Sequence, residues 1–173
     1  MILGLSLANF TVLHVIISLI AIVSGLVVLL GMLSSRRLPG WTALFLIATI
    51  LTSVTGFLFP IHGFTPALGV GVVSLLVLAI ALIALYGKRL AGSWRWIYVV
   101  MAVIALWFNV FVLIVQSFEK VAFINPHAPQ IGPPFPEPQN FQFMIAQGLA
   151  LAFFVVLGLL AAVRFRPGPS LPA

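Results

Sequence analysis

The sequence contains no cysteine, only two acidic residues and few charges of any kind, since 6% of its 173 residues are charged. The absence of cysteine excludes disulfides, thiolate metal sites, iron–sulfur clusters and cysteine catalysis. A soluble domain carries roughly 25% charged residues. This chain therefore has too few polar side chains to cover its surface in water, and lipid must be the solvent for most of it.

Recognised catalytic motifs are also missing. The sequence has no P-loop, no dinucleotide-binding glycine motif, no nucleophile elbow and no HExxH. No acidic residue falls within a long apolar stretch, which argues against a proton-coupled transporter of the usual carboxylate type. An enzyme is disfavoured, although a site centred on His14 remains open to acid–base chemistry.

Long apolar runs dominate what is present, and 63% of the residues are hydrophobic. A helix that crosses the hydrocarbon core needs roughly 20 mostly apolar residues. Five stretches meet this length: about 8–33, 41–60, 67–86, 96–118 and 142–163. The sequence therefore predicts an all-α, polytopic membrane protein, with residues 1–173 forming a single bundle of about five transmembrane helices.

The basic residues are distributed unevenly between the two sides of this bundle. Only Lys120 falls on the side of the N-terminus, whereas seven fall on the other side: Arg36, Arg37, Lys88, Arg89, Arg95, Arg164 and Arg166. Basic residues in short loops mark the cytoplasmic side, so we expect the N-terminus outside and the C-terminus in the cytoplasm. The net charge of +6 is spread too thinly for a nucleic-acid groove, and no nucleic-acid partner is expected.

Polar residues within the predicted helices are concentrated in their outer halves. Small and polar residues also recur at helical spacing, as in Thr11, His14, Ser18, Ala21 and Gly25. One interpretation is helix packing, in which small residues permit close approach and hydroxyls bond across the contact. The other is an outward-facing ligand pocket, narrow below, lined by His14, Thr52, Asn109, Gln116 and Gln147.

The three histidines belong to the outer side, as do both acidic residues, Glu119 and Glu137. Imidazole and carboxylate groups together bind zinc, copper or non-haem iron without cysteine. This gives a weak metal hypothesis on His14, His62, His127 and Glu119. The histidines show no short ligand spacing, and a bis-histidine haem would need His62 to reach down from its loop towards His14.

Residues 119–141 form the one sizeable segment outside the predicted helices, and they include six prolines. Proline excludes a helix interior or a central strand there and stiffens the segment towards polyproline II. Its apolar side chains predict that this outer loop packs over the mouth of the bundle or docks onto a neighbour. A plain connector is the alternative.

Three stretches, Leu51–Phe57, Leu90–Tyr98 and Asn109–Gln116, resemble a group of small bacterial inner-membrane proteins with several transmembrane helices and no assigned activity. The similarity runs over most of the chain, from His14 to Arg166. It implies a multi-pass location in the bacterial inner (cytoplasmic) membrane and implies no reaction. The outer loop, with Asn125–His127 and its proline run, is longer than the loop of that group.

Three functional hypotheses follow. The first is a non-enzymatic bundle that acts through helix packing and its outer loop, as a homo-oligomer or as an accessory subunit of a larger membrane complex. The second is a pocket for a lipid, a quinone or another small apolar ligand. The third and weakest is a metal or haem site on the outer face. No cofactor is indicated by the sequence itself.

Overall fold

The computed structural model describes residues 2–60, 66–121, 123–124 and 141–166, and it is all-helical. Its five helices are α1 (Leu7–Leu33), α2 (Pro39–Phe57), α3 (Pro66–Leu82), α4 (Trp94–Lys120) and α5 (Phe141–Arg164). A π-helical turn, Ile83–Gly87, continues α3. All five are long and apolar enough to cross a membrane. The predicted class, a polytopic helical bundle, is confirmed.

Local chemistry explains where the helices begin and end. The Ser6 side chain accepts a hydrogen bond from the Asn9 backbone N–H at 3.2 Å and caps α1. Pro39 stands at the start of α2, where its missing N–H has no cost. That helix ends at Phe57, three residues before the predicted end, because Pro60 disfavours helical geometry at the preceding residue.

Helix α4 is the centre of the bundle, since it contacts each of the other four helices. Helix α5 packs on α4 and α1, and α3 packs on α4 and α2. The buried apolar core lies mainly in the half of the bundle that holds the end of α1 and the start of α4. There, a Cβ added to Gly25 would lie 2.6 Å from Leu106 and 2.8 Å from Phe45, so only glycine permits this contact.

The two ends of the bundle differ in chemistry. At the end that we call the basic end, residues 34–38, 87–93 and 165–166 come together. The Arg166 N–H donates to the Ser35 hydroxyl at 2.9 Å, and the rings of Tyr98 and Phe165 lie 6.3 Å apart. The opposite end brings the start of α1 beside the segment after α2. The Phe10 and Phe59 rings, 5.0 Å apart, join them.

Candidate functional site

His14 on α1 is bonded to α2. Its Nδ1 lies 2.7 Å from the Thr55 hydroxyl, and its ring meets the Phe59 ring edge-on at 5.3 Å. The Thr55 hydroxyl donates its one proton to the Leu51 carbonyl at 2.6 Å. Its oxygen is then placed to accept from His14 Nδ1–H, and in the corresponding neutral tautomer Nε2 is the unprotonated nitrogen.

Asn109 on α4 makes a second link to α2. Its Nδ2 donates to the Thr49 hydroxyl at 3.3 Å and to the Ala105 carbonyl of its own helix at 3.1 Å. Both Asn109 and Thr49 are buried. Further along α2, the Ser53 hydroxyl lies 3.4 Å from that of Ser74 on α3. Helix α2 is therefore joined by polar side chains to α1, α3 and α4.

Gln147 on α5 is joined to α4, because its Nε2 donates to the Phe111 carbonyl at 3.1 Å. Its Oε1, the Thr52 hydroxyl and the indole Nε1 of Trp107 are buried without hydrogen-bond partners among the described residues. Gln116 is half-buried on the last turns of α4. Of the five predicted pocket residues, His14, Asn109 and Gln147 thus form hydrogen bonds, each with a different neighbouring helix residue. Thr52 and Gln147 each have a buried oxygen without a partner among the described residues.

Nearer the basic end, the bundle is closely packed. No water-sized space remains among Gly25, Phe45 and Leu106. The outward-facing pocket stays a prediction. The partner residues Thr55 and Thr49 were not among the predicted pocket residues. Their depth in α2 was the available signal, but depth does not specify the direction in which a side chain points.

The predicted metal ligands are only partly described. His14 is paired with Thr55, and Glu119 lies near the end of α4 with Oε1 buried and without a hydrogen-bond partner. His62, His127 and Glu137 lie outside the described residues, as does most of the outer loop. Within the described ranges, no three residues among histidine, cysteine, aspartate and glutamate come together as a metal-binding group. The metal hypothesis stays a prediction.

Helix α5 has the least packed surface of the five. In its most apolar 18-residue stretch, 6% of the residues are buried, against 22–44% in the other helices. Gly148 and Ala152, one turn apart, are both exposed, and a Cβ added to Gly148 would meet no atom within 4 Å. Large exposed side chains, Leu149 and Phe153 among them, flank these small residues.

A cavity of about 240 Å³, which we call the basic-end cavity, opens at the other end of the bundle. Arg36, Arg37 and Arg89 line it together with Tyr86 and Tyr98. In the sequence, these arginines indicate topology and do not by themselves predict a cavity. The available signal is the recurrence of arginine at the turns after α1 and α3, with tyrosine close by in sequence at the second of them.

Comparisons with protein-family models, with curated proteins and with solved structures found no match to this chain.

Proposed function

We propose that this chain is a non-enzymatic protein of the bacterial inner membrane whose function depends on association of two copies through α5. The observation that carries the proposal is the nearly unpacked surface of α5, with small residues at its exposed centre. Several polar side chains within the other helices, His14, Asn109 and Ser53 among them, form contacts inside the bundle. They are consistent with packing rather than with reaction chemistry.

The exposed surface of α5 has small residues at positions where a second helix would need to approach closely. A lipid-facing helix gains nothing from burying apolar side chains alone, because lipid tails are as apolar as leucine. Association depends instead on close van der Waals packing, which small residues four positions apart permit. Gly148 and Ala152 form a shallow groove on this face, and the larger Leu149 and Phe153 lie along one side of it.

A second copy of the chain is the partner that fits this groove best. Two identical helices that cross at a small-xxx-small motif present the same groove to each other, so the contact is self-complementary. A two-fold axis beside Gly148 and Ala152 would place the same small residues of both copies at the contact. If the chain is instead an accessory subunit of a larger membrane complex, the same face of α5 would pack against a helix of another protein.

The proposed orientation places the N-terminus outside and the basic end in the cytoplasm. It is supported by the seven basic residues that share the basic end, where residues 34–38, 87–93 and 165–166 come together. Short loops rich in lysine and arginine remain on the cytoplasmic side of bacterial membranes. The inner-membrane location rests on this charge asymmetry and on the resemblance described above.

The absence of cysteine allows a direct test of the α5 contact. Single cysteines are introduced at Gly148 and Ala152, and at Val54 and Leu76 as exposed controls on α2 and α3. Oxidation in native membranes should cross-link the first two, because a disulfide needs Cα atoms within about 7 Å. Equal cross-linking at all four positions would indicate random collision and would sink the proposal. Cross-linking only to another protein would assign the face to a larger complex.

The predicted pocket for a lipid, a quinone or another small apolar ligand is the second candidate function. Two of its five residues, Thr52 and Gln147, hold buried oxygens without partners, and Trp107 holds a buried N–H without one. Buried polar groups are nearly always hydrogen-bonded in proteins. A small amphipathic ligand with a donor and an acceptor would bond those of these atoms that it reaches, and His14 Nε2 would offer a further acceptor.

Native mass spectrometry of protein purified in mild detergent tests this second candidate. A co-purifying lipid or quinone should be retained by wild type and weakened in Gln147→Leu and His14→Ala. Ser18→Ala serves as the control, because its hydroxyl bonds only the carbonyl of His14 in its own helix. Ligand-free protein, or equal loss in all three variants, would retire the pocket.

A further inference from the structure

The basic-end cavity has the two-part lining of a site for an amphipathic anion. Three arginines, Arg36, Arg37 and Arg89, and the exposed Tyr86 supply hydrogen-bond donors, and the buried Thr42 and Tyr98 also line the cavity. Apolar side chains of α1 and of the π-helical turn, including Val28, Met32 and Leu85, line the part nearer the middle of the bundle. At about 240 Å³, it is smaller than the roughly 300–1,000 Å³ of sites that enclose whole small molecules. It suits a head group and the first carbons of its acyl chains, with the rest of the chains outside.

The two turns that carry the arginines share an uncommon backbone conformation. Ser35 and Arg89 both have positive φ, +56° and +48°, although neither is glycine. After α1, the Arg36 N–H bonds the Gly31 carbonyl at 2.8 Å and the Ser35 N–H bonds that of Met32 at 3.0 Å. This is a Schellman ending, which glycine usually forms. The chain thus turns sharply and presents Arg36 and Arg37 directly after the last turn of α1.

The π-helical turn at the end of α3 has a matching effect on Arg89. The Lys88 N–H bonds the Ile83 carbonyl at 2.8 Å, and the Leu90 N–H bonds that of Ala84 at 3.0 Å. The ending therefore resembles that of α1 with one extra residue in the loop. Such π turns occur frequently at functional sites. Here the turn accompanies the placement of Arg89 at the cavity shared with Arg36 and Arg37.

Among the residues that the structure describes, these arginines have no acidic partner. The chain has two carboxylate side chains, and the described one, Glu119, is near the far end of α4. Trp94 and Glu119 are about 25 residues apart, or about 38 Å along the helix. Lys88, by contrast, has a partner within the bundle, because its Nζ lies 5.5 Å from the centre of the Trp94 ring. The cavity therefore concentrates positive charge that no described acidic group neutralises.

We propose that the basic-end cavity binds the phosphate group of an anionic phospholipid. Arginine side chains hold phosphate oxygens through paired N–H donors, and Tyr86, which is exposed, stands at the cavity beside them. Basic pockets between membrane helices on the cytoplasmic side bind such head groups. Val28 and Met32 would meet the upper part of an acyl chain. This inference is independent of the α5 contact.

The test is a lipid titration of the full-length, delipidated protein followed by native mass spectrometry. Phosphatidylglycerol and phosphatidylcholine with identical acyl chains are compared. Wild type should bind phosphatidylglycerol more tightly. Replacing Arg36, Arg37 and Arg89 by glutamine together should weaken that binding about a hundredfold, at about fivefold for each arginine. Phosphatidylcholine binding should change little.

The matched control removes the same charge from the same end. Replacement of Lys88, Arg95 and Arg164 by glutamine should leave phosphatidylglycerol affinity within about fivefold of wild type, because these residues do not line the cavity. Equal loss in both triple variants would mean that charge density alone attracts the lipid, and it would overturn the proposal. Equal wild-type affinity for the two lipids would also overturn it.

Inorganic phosphate distinguishes a lipid head group from free phosphate. Added as a competitor in excess over the lipid, it should fail to displace phosphatidylglycerol, because it has no apolar part to meet Val28 and Met32. Displacement at lipid-like concentrations would assign the cavity to free phosphate and contradict the lipid proposal. Circular dichroism and gel filtration of each variant establish that it retains the wild-type fold.

Discussion

Polar side chains join neighbouring helices at several single contacts, and their surroundings determine what each contact contributes. His14 with Thr55 links α1 to α2, and Asn109 with Thr49 links α4 to α2. In lipid, an unpaired polar group has no water to bond. The unfolded helices nevertheless find other partners within the membrane, so the net gain averages only about 0.6 kcal/mol and reaches about 1.7 kcal/mol.

A double-mutant cycle on His14 and Thr55 should therefore give a measurable coupling. We expect between about 0.6 and 1.7 kcal/mol from His14→Ala, Thr55→Ala and the double variant, with unfolding free energies measured in bicelles. The control pairs Ser18→Ala with Thr55→Ala, because the Ser18 hydroxyl bonds only its own helix. A coupling for His14 and Thr55 no larger than that of the control would contradict the hydrogen bond.

At the scale of the helices, the glycine positions determine how closely one helix approaches another. Gly25 on α1 sits against Phe45 of α2 and Leu106 of α4, where three helices meet. Gly148 on α5 faces open space. Gly25 therefore permits close packing within the bundle. In our proposal, Gly148 permits close packing between two bundles.

Valine at Gly25 should destabilise the bundle, whereas valine at Gly148 should not. Gly25→Val should lower the free energy of unfolding by about 1–3 kcal/mol, the usual cost of overpacking, because its Cβ would lie 2.6 Å from Leu106. Gly148→Val should leave the stability of the monomer unchanged. Reversible unfolding at high lipid dilution measures both. Equal destabilisation would mean that Gly148 also lies within the packed bundle.

The positions of the helices could be predicted from the sequence, whereas the contacts between them could not. With the π-helical turn counted as the end of α3, the apolar runs predicted each helix boundary to within about three residues, because span length depends on the thickness of the hydrocarbon core. The neighbours of His14 and Asn109 could not be predicted in this way. Helices such as α1 and α3 are apolar on every side, so periodicity does not identify the packed face.

For the whole molecule, the asymmetry of charge between its two ends underlies the proposed orientation. Single cysteines again provide the measurement, at Phe123, which is 98% exposed, and at Lys88. In intact cells, an impermeant maleimide should label the cysteine at position 123, and the cysteine at position 88 only after the inner membrane is permeabilised. The reverse pattern would invert the topology and place the basic-end cavity outside.

The α5 contact is the central claim about the whole molecule, and dimerisation in lipid bilayers tests it most directly. Protein labelled with donor and acceptor fluorophores is reconstituted at increasing lipid-to-protein ratios, and energy transfer reports the fraction of dimer. We predict a dimer that dissociates on dilution and that Gly148→Val weakens about tenfold or more, while Leu76→Val leaves it unchanged. Energy transfer at the level of random proximity, or equal in wild type and Gly148→Val, would contradict the account.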